Sequence, residues 1–203
     1  MNNEAKPQPG DKEIVNFLYE VGMLAKTPRS GFQFLGSGKQ SVAEHVNRVA
    51  FIGYTLAMLE DGVDVGKVLK MCLFHDIAEG RVSDLNYVNQ KYVHADDERA
   101  IDDMAHNLPF EDDVRKTIGE YEKRESRESV LVKEADILEL MLTLKEELDI
   151  GNVRAQNWLD RTVKRLKTEN GKRLAAMLLR TDSDEWWFAD KEDSWWVNRN
   201  KSE

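Results

Sequence analysis

The chain has 203 residues, enough for one domain with a buried core and too few for more than two. Hydrophobic residues make up 41% and charged residues 33%, and 29 basic against 38 acidic side chains leave a formal charge of −9. That balance excludes the electrostatic footprint of a protein that binds nucleic-acid polymers and disfavours an anionic membrane surface, while leaving room for a local positive pocket that takes one phosphate. The lone cysteine, Cys72, rules out an intramolecular disulfide and fits a reducing cytoplasm. Met1 to Gly10 is polar, holds Pro7 and Pro9, and lacks the apolar centre of a signal peptide. No apolar run approaches the ~20 residues that span a bilayer, so no membrane partner is expected.

Residues 1–10 are expected to form a loosely attached tail. From Asp11 onward Ile14, Phe17, Leu18, Val21 and Leu24 recur at helical spacing. Pro28, Gly31, Gly36 and Gly38 mark a loop. Ser41-Val42-Ala43-Glu44 reads as a capping box that opens a helix running to about Glu60, where Asp61-Gly62 stops it. A further helix begins near Asp64 and carries His75-Asp76. Residues 80–93 lack a period, with Ser83, Asp84 and Asn86 breaking it. Helices are expected over 95–107, 111–124 and 127–150, then over 153–168 and 171–180. With no set of alternating strands and no internal repeat, the predicted fold is all-α, a compact multi-helix bundle over residues 11–180. Residues 181–203 form an acidic tail with Trp186, Trp187, Trp195 and Trp196. Four indoles do not readily stand in water, so the tail is expected to pack on the domain or on a second subunit.

Polar residues on apolar faces carry the chemistry. Val42, His45, Val49 and Ile52 share one helical stripe, which turns the His45 imidazole inward. His75 and Asp76 follow the apolar run Met71-Cys72-Leu73-Phe74. Asp136 shares a stripe with Val132 and Leu140, and an unpaired carboxylate there would be expelled or protonated. One inward His or Asp is ordinary packing; four on three helices point to a divalent cation that offsets their burial. Two imidazoles and two carboxylates suit one Mn²⁺, Co²⁺, Fe²⁺, Ni²⁺ or Mg²⁺ ion, and four ligands leave two octahedral positions for water and a substrate oxygen. The absence of thiolates from the set argues against a closed structural zinc site. His94 and His106 flank an acidic helix, whose simpler reading is a solvated face. Arg81 and Lys91 read as surface charges, and Arg48, one turn past His45, as support for a ligand or as an ion-pair partner.

The ordered set His45, His75-Asp76, Asp136 resembles the HD-domain superfamily of metal-dependent phosphohydrolases and matches its four metal-ligand positions one by one. Closer likeness is to the bacterial 5′-deoxynucleotidases and their eukaryotic HD-domain-containing relatives. It lies in Ser41-Val42-Ala43-Glu44-His45, in His75-Asp76-Ile77-Ala78-Glu79 followed by Ser83-Asp84, and in Pro28-Arg29-Ser30-Gly31-Phe32. The resemblance spans about residues 14 to 150. It implies a cytoplasmic homodimeric hydrolase of nucleoside 5′-monophosphates, with Glu79 and Asp84 positioning the attacking water and managing its proton. Arg29 would hold the phosphate by paired hydrogen bonds, and Phe32 would sit near the sugar or base. Phe32 stands where the group usually carries Trp, and a phenyl ring cannot donate the hydrogen bond an indole can. The rival chemistries are cleavage of a phosphodiester or of a guanosine pyrophosphate. A non-catalytic nucleotide sensor is the third reading.

Overall fold

The computed structural model describes residues 6–188, and among these it is all helices and connections. The elements run α1 Asp11–Val21, α2 Phe32–Leu35, α3 Val42–Met58, α4 Val65–Phe74 and α5 Glu79–Val82. There follow α6 Asp97–Ala105, α7 Glu111–Lys123, α8 Arg127–Asp149, α9 Arg154–Thr162, α10 Glu169–Leu178 and α11 Glu185–Phe188. Helix α8 is the axis. Its buried residues, from Ser129 to Glu147, lie on every side, and α3, α4, α9 and α10 pack around it. Leu56, Val68, Met71, Val132, Met141, Leu144 and Leu159 form the main core. Phe17, Met104, Leu108, Val114 and Ile118 form a second cluster, under α1, α6 and α7.

Helix starts follow local chemistry. Ser41 and Glu44 form the expected capping box at α3, and the side chains of Asp64, Asp96, Ser126 and Thr168 cap α4, α6, α8 and α10. Buried Glu134 accepts hydrogen bonds from the Lys167 and Thr168 amides and from the Thr168 hydroxyl, which fastens the start of α10 to the axis.

Several expected boundaries move. The loop at 28–38 contains the one-turn α2. Helix α9 closes early and tightens into a 3₁₀ turn at Val163–Arg165. The largest change is at the His-Asp pair, expected on a helix and found past its end. Helix α4 stops at Phe74, and His75 to Ala78 form a turn built from short-range bonds: Ile77 N to Phe74 O at 3.1 Å and Glu79 N to Asp76 O at 3.1 Å. The His75 ring explains the break. Its Nδ1 bonds the Cys72 carbonyl at 2.8 Å, the acceptor an amide at position 76 would use if the helix continued. Met71 and Cys72 then anchor one end of the turn in the main core, and Ile77 anchors the other in the second cluster. Of the tryptophan tail, Trp195 and Trp196 lie outside the described residues. Trp186 is 86% exposed on this chain.

Gly53 marks the closest approach of α3 and α4. A Cβ there would collide with Cys72 Sγ and lie 3.3 Å from Val68 Cγ1. Gly53→Ala is expected to lower the unfolding free energy by about 1–3 kcal/mol in urea titrations, and Cys72→Ala in the same chain to recover part of the loss.

Candidate metal centre and active-site cavity

Three segments distant in sequence meet at one point. His45 comes from the buried face of α3, His75 and Asp76 from the turn after α4, and Asp136 from α8. Both histidine side chains are closed to solvent. His45 Nε2 lies 3.3 Å from His75 Nε2, 3.4 Å from Asp76 Oδ2 and 3.4 Å from Asp136 Oδ1. His75 Nε2 lies 3.2 Å from the same Asp76 oxygen. One donor atom from each of His45, His75 and Asp76 falls within 4.8 Å of the others. The four residues singled out from the sequence therefore converge.

The far nitrogen of each ring is already used. His75 Nδ1 faces the Cys72 carbonyl, so it carries the hydrogen and leaves Nε2 as the lone-pair donor. His45 Nδ1 lies 2.6 Å from Glu139 Oε2, which imposes the same tautomer. Glu139 is itself 1% exposed. Its other oxygen accepts from Arg48 Nε at 3.0 Å and Nη2 at 2.9 Å, Gln40 Nε2 at 2.7 Å and the Thr143 hydroxyl at 3.2 Å. Burial works against its charge, but His45 and Arg48 hold the Glu139 carboxyl down at about 2. Two directed imidazoles, two carboxylates and no thiolate make a donor set fitted to a divalent ion. Cys72 stays apart, packed against Gly53, and burial pushes its thiol up to about 12.

Arg29 reaches the cluster from the 27–31 loop. That loop lies beside the start of α3 through Arg29 N to Gln40 O at 2.8 Å and Val42 N to Thr27 O at 2.9 Å. Arg29 Nη1 lies 3.2 Å from Asp76 Oδ2, and its Nε 3.7 Å from Asp84 Oδ2. Asp84 also accepts from the Ser30 amide at 2.7 Å. Lys133 Nζ bonds the second oxygen of Asp136 at 2.6 Å.

Glu79 opens α5, and its Oε2 is buried without a hydrogen-bond partner. Burial first, and then the neighbouring Asp76 and Asp84 charges, push its carboxyl up to about 9. At His45 burial lowers proton affinity, but hydrogen bonds with Asp136, Asp76 and Glu139 outweigh it and raise the ring well above its usual value.

Arg29, Asp76, Glu79, Asp84 and Asp136 line one end of a cavity of about 370 Å³. Phe32, Phe34, Tyr87 and Trp158 also line it, together with polar residues that include Gln40, Asn86, Gln90 and Arg165. Asp76, Glu79 and Asp84 also face a second, wider cavity of about 900 Å³ on the side of α6 and α7. His94 and His106 are exposed and do not join the cluster, Lys91 is exposed, and Arg81 pairs with Glu20 at 2.6 Å. Sequence reasoning missed Glu139, Lys133 and Trp158. Glu139 left a signal, an acidic residue one turn past Asp136 between Leu138 and Leu140. Trp158 left none beyond being a large aromatic on an amphipathic helix.

A profile of the HD domain matches residues 21–178. The chain belongs to the HD-domain family. The 5′-deoxynucleotidase HDDC2 of Bos taurus is 29% identical over 163 residues, spanning 75% of this chain and 78% of the relative. That of Danio rerio is 31% identical over 139 residues, spanning 66% and 68%. Among solved structures, a conserved hypothetical protein from Pyrococcus furiosus superposes with a TM-score of 0.69 at 29% identity, over 82% of this chain and 99% of that one.

A proton on His45 neutralises the same carboxylates that a cation would, so the two compete. Because His45 and Glu79 both sit above their usual values, cation binding must expel protons near neutrality. Co²⁺ affinity, measured by chelator competition, is expected to rise from about pH 6 to about pH 8. Glu139→Gln is expected to weaken that affinity about 10- to 100-fold at either pH.

Proposed function

We propose that this HD-domain protein is a metal-dependent phosphomonoester hydrolase acting on nucleoside 5′-monophosphates. Deoxyribonucleoside 5′-monophosphates are the favoured substrates, and nucleoside and phosphate the products. The observation that carries the reading is the meeting of a cation-ready cluster with the Arg29 guanidinium and the unpartnered Glu79 carboxyl in a single cavity sized for a small ligand. The substrate class follows the 5′-deoxynucleotidase relatives.

His45, His75, Asp76 and Asp136 would hold one Mn²⁺, Co²⁺, Fe²⁺, Ni²⁺ or Mg²⁺ ion. Once bound, the ion supplies Lewis acidity to the phosphate and lowers the pKa of water. The chain does the rest. Arg29, freed from Asp76 when that carboxylate ligates, turns its fork of donors to the phosphate oxygens. Glu79 is a stronger base than an ordinary carboxylate because of its burial. With its own proton expelled on cation binding, it would accept the proton of the attacking water as the new P–O bond forms, and return it to the 5′ oxygen as the ester bond breaks. Asp84 orients the Arg29 loop through the Ser30 amide and assists the proton transfer from beside Glu79 in the same cavity. Phe32 lines the cavity beside Arg29, near the sugar or base of a bound nucleotide.

Residues 11–180 act as the hydrolase domain, with 1–10 and 181–203 as appendages. A homodimer is supported by an apolar groove of about 560 Å³ along α3, α8 and α10, where Phe51 is 70% and Met177 63% exposed beside Trp186. The cytoplasm suits the buried free thiol of Cys72.

Purified protein, stripped with chelator and reloaded with Mn²⁺ or Co²⁺, is expected to release phosphate from deoxyribonucleoside 5′-monophosphates faster than from ribonucleotides. Asp76→Ala should abolish release together with bound metal. Arg29→Ala should lower kcat/KM about a hundredfold while metal stoichiometry stays at one. Release from diesters or guanosine pyrophosphates alone, or tight nucleotide binding without turnover under every metal, would reject the reading. Sedimentation velocity should show a dimer that Phe51→Asp dissociates.

A further inference from the structure

The cavity that holds the cation cluster has a second end that hydrolysis at phosphorus does not use. Trp158 stands there on α9. Its ring centroid lies 6.4 Å from that of Phe34 on α2, tilted by 54°, and 6.3 Å from that of Tyr87, edge-on at 76°. The three rings come from different segments, and all line the cavity that Arg29, Asp76 and Glu79 also line. Phe34 remains 39% and Tyr87 61% exposed. We propose that Trp158, with Phe34 and Tyr87, is the stacking site for the substrate's nucleobase. This rests on the monophosphate reading above and adds to it the group that distinguishes a nucleotide from a sugar phosphate.

Three observations support the assignment. Trp158 is held rigidly: Ala155, Leu159 and Thr162 bury the inner face of α9, and the Asn152 amide ties the start of that helix to the Leu35 carbonyl at 3.1 Å and the Ser37 hydroxyl at 2.7 Å. Its ring lies against Gly31, where an added Cβ would be 3.4 Å from Trp158 Cζ3. Gly31 is two residues from Arg29, at most about 7 Å along the backbone. The indole thus packs on the short loop that carries Arg29, and both side chains line the same cavity. The wider cavity offers no equivalent. Arg29 does not line it, and its aromatic wall, Tyr121, is already covered by Arg124, whose guanidinium carbon lies 3.2 Å from the ring centre. An aromatic face accepts any base, because every base has a π face, and such contacts tolerate sequence differences.

The test compares deoxyribonucleoside 5′-monophosphates with 2-deoxyribose 5-phosphate, which carries the same phosphate and sugar and no base. Wild-type protein is expected to favour the nucleotides in kcat/KM. Trp158→Leu should shrink that nucleotide-to-sugar-phosphate ratio about tenfold or more, mainly through KM, and Tyr87→Ala, at an exposed position, should shrink it in the same direction. Unchanged ratios in both variants would overturn the proposal, as would equal losses on both substrates. Tryptophan fluorescence during titration with deoxyadenosine reads the site without turnover. Quenching that Trp158→Leu removes supports the stacking site even if no phosphate is released, a result that would sink only the hydrolase reading. Quenching that survives in Trp158→Leu counts against it.

Discussion

His45 and Glu139 meet across the contact between α3 and α8 through a 2.6 Å hydrogen bond, with neither side chain open to water. A buried carboxylate is costly unless its oxygens are satisfied. Here Arg48, Gln40, Thr143 and His45 satisfy both. The bond couples two helices that share no local sequence signal, and it sets the register in which they cross. With α3 held in that register, His45 Nε2 points at the space that Asp136, one turn earlier on α8, also faces. The tautomer, the aim of the imidazole and the position of the fourth donor, Asp136, all depend on the same contact.

The turn after α4 completes the site because it is pinned at both ends. Met71 and Cys72 are buried in the main core, and Phe74 and Ile77 pack in the second cluster, which leaves His75 and Asp76 between the two. Their polar side chains emerge in the seam between two apolar bodies. A helix continuing past Phe74 would rotate Asp76 and Glu79 by regular steps. The tight turn instead places both on the wall of one cavity.

Charge is distributed unevenly across this small volume. Asp76, Asp84, Asp136 and Glu79 crowd one cavity wall against Arg29 and Lys133. Glu79 answers the crowding by keeping its proton, and His45 by gaining one. A divalent ion held by these carboxylates would offset the same repulsion.

Much of this was legible in the residue order. The Ser41–Glu44 capping box placed the start of α3 correctly, because a cap depends on four consecutive residues. The stripe through Val42, His45 and Val49 turned the first histidine inward, since helical periodicity is local. The adjacency of His75 and Asp76 and the apolar setting of Asp136 identified the remaining cluster members. What the sequence by itself determined was thus the all-α class, the main helices, and the four residues too polar for their surroundings. The tertiary structure decided the end of α4 at Phe74, the partnership of Glu139 with His45, and the aromatic end of the cavity at Trp158. The last two join atoms from segments about a hundred positions apart, and the first depends on the separate clusters that Cys72 and Ile77 enter. No local propensity encodes such a meeting; it arises only when the apolar faces of α3, α8 and α9 are packed together.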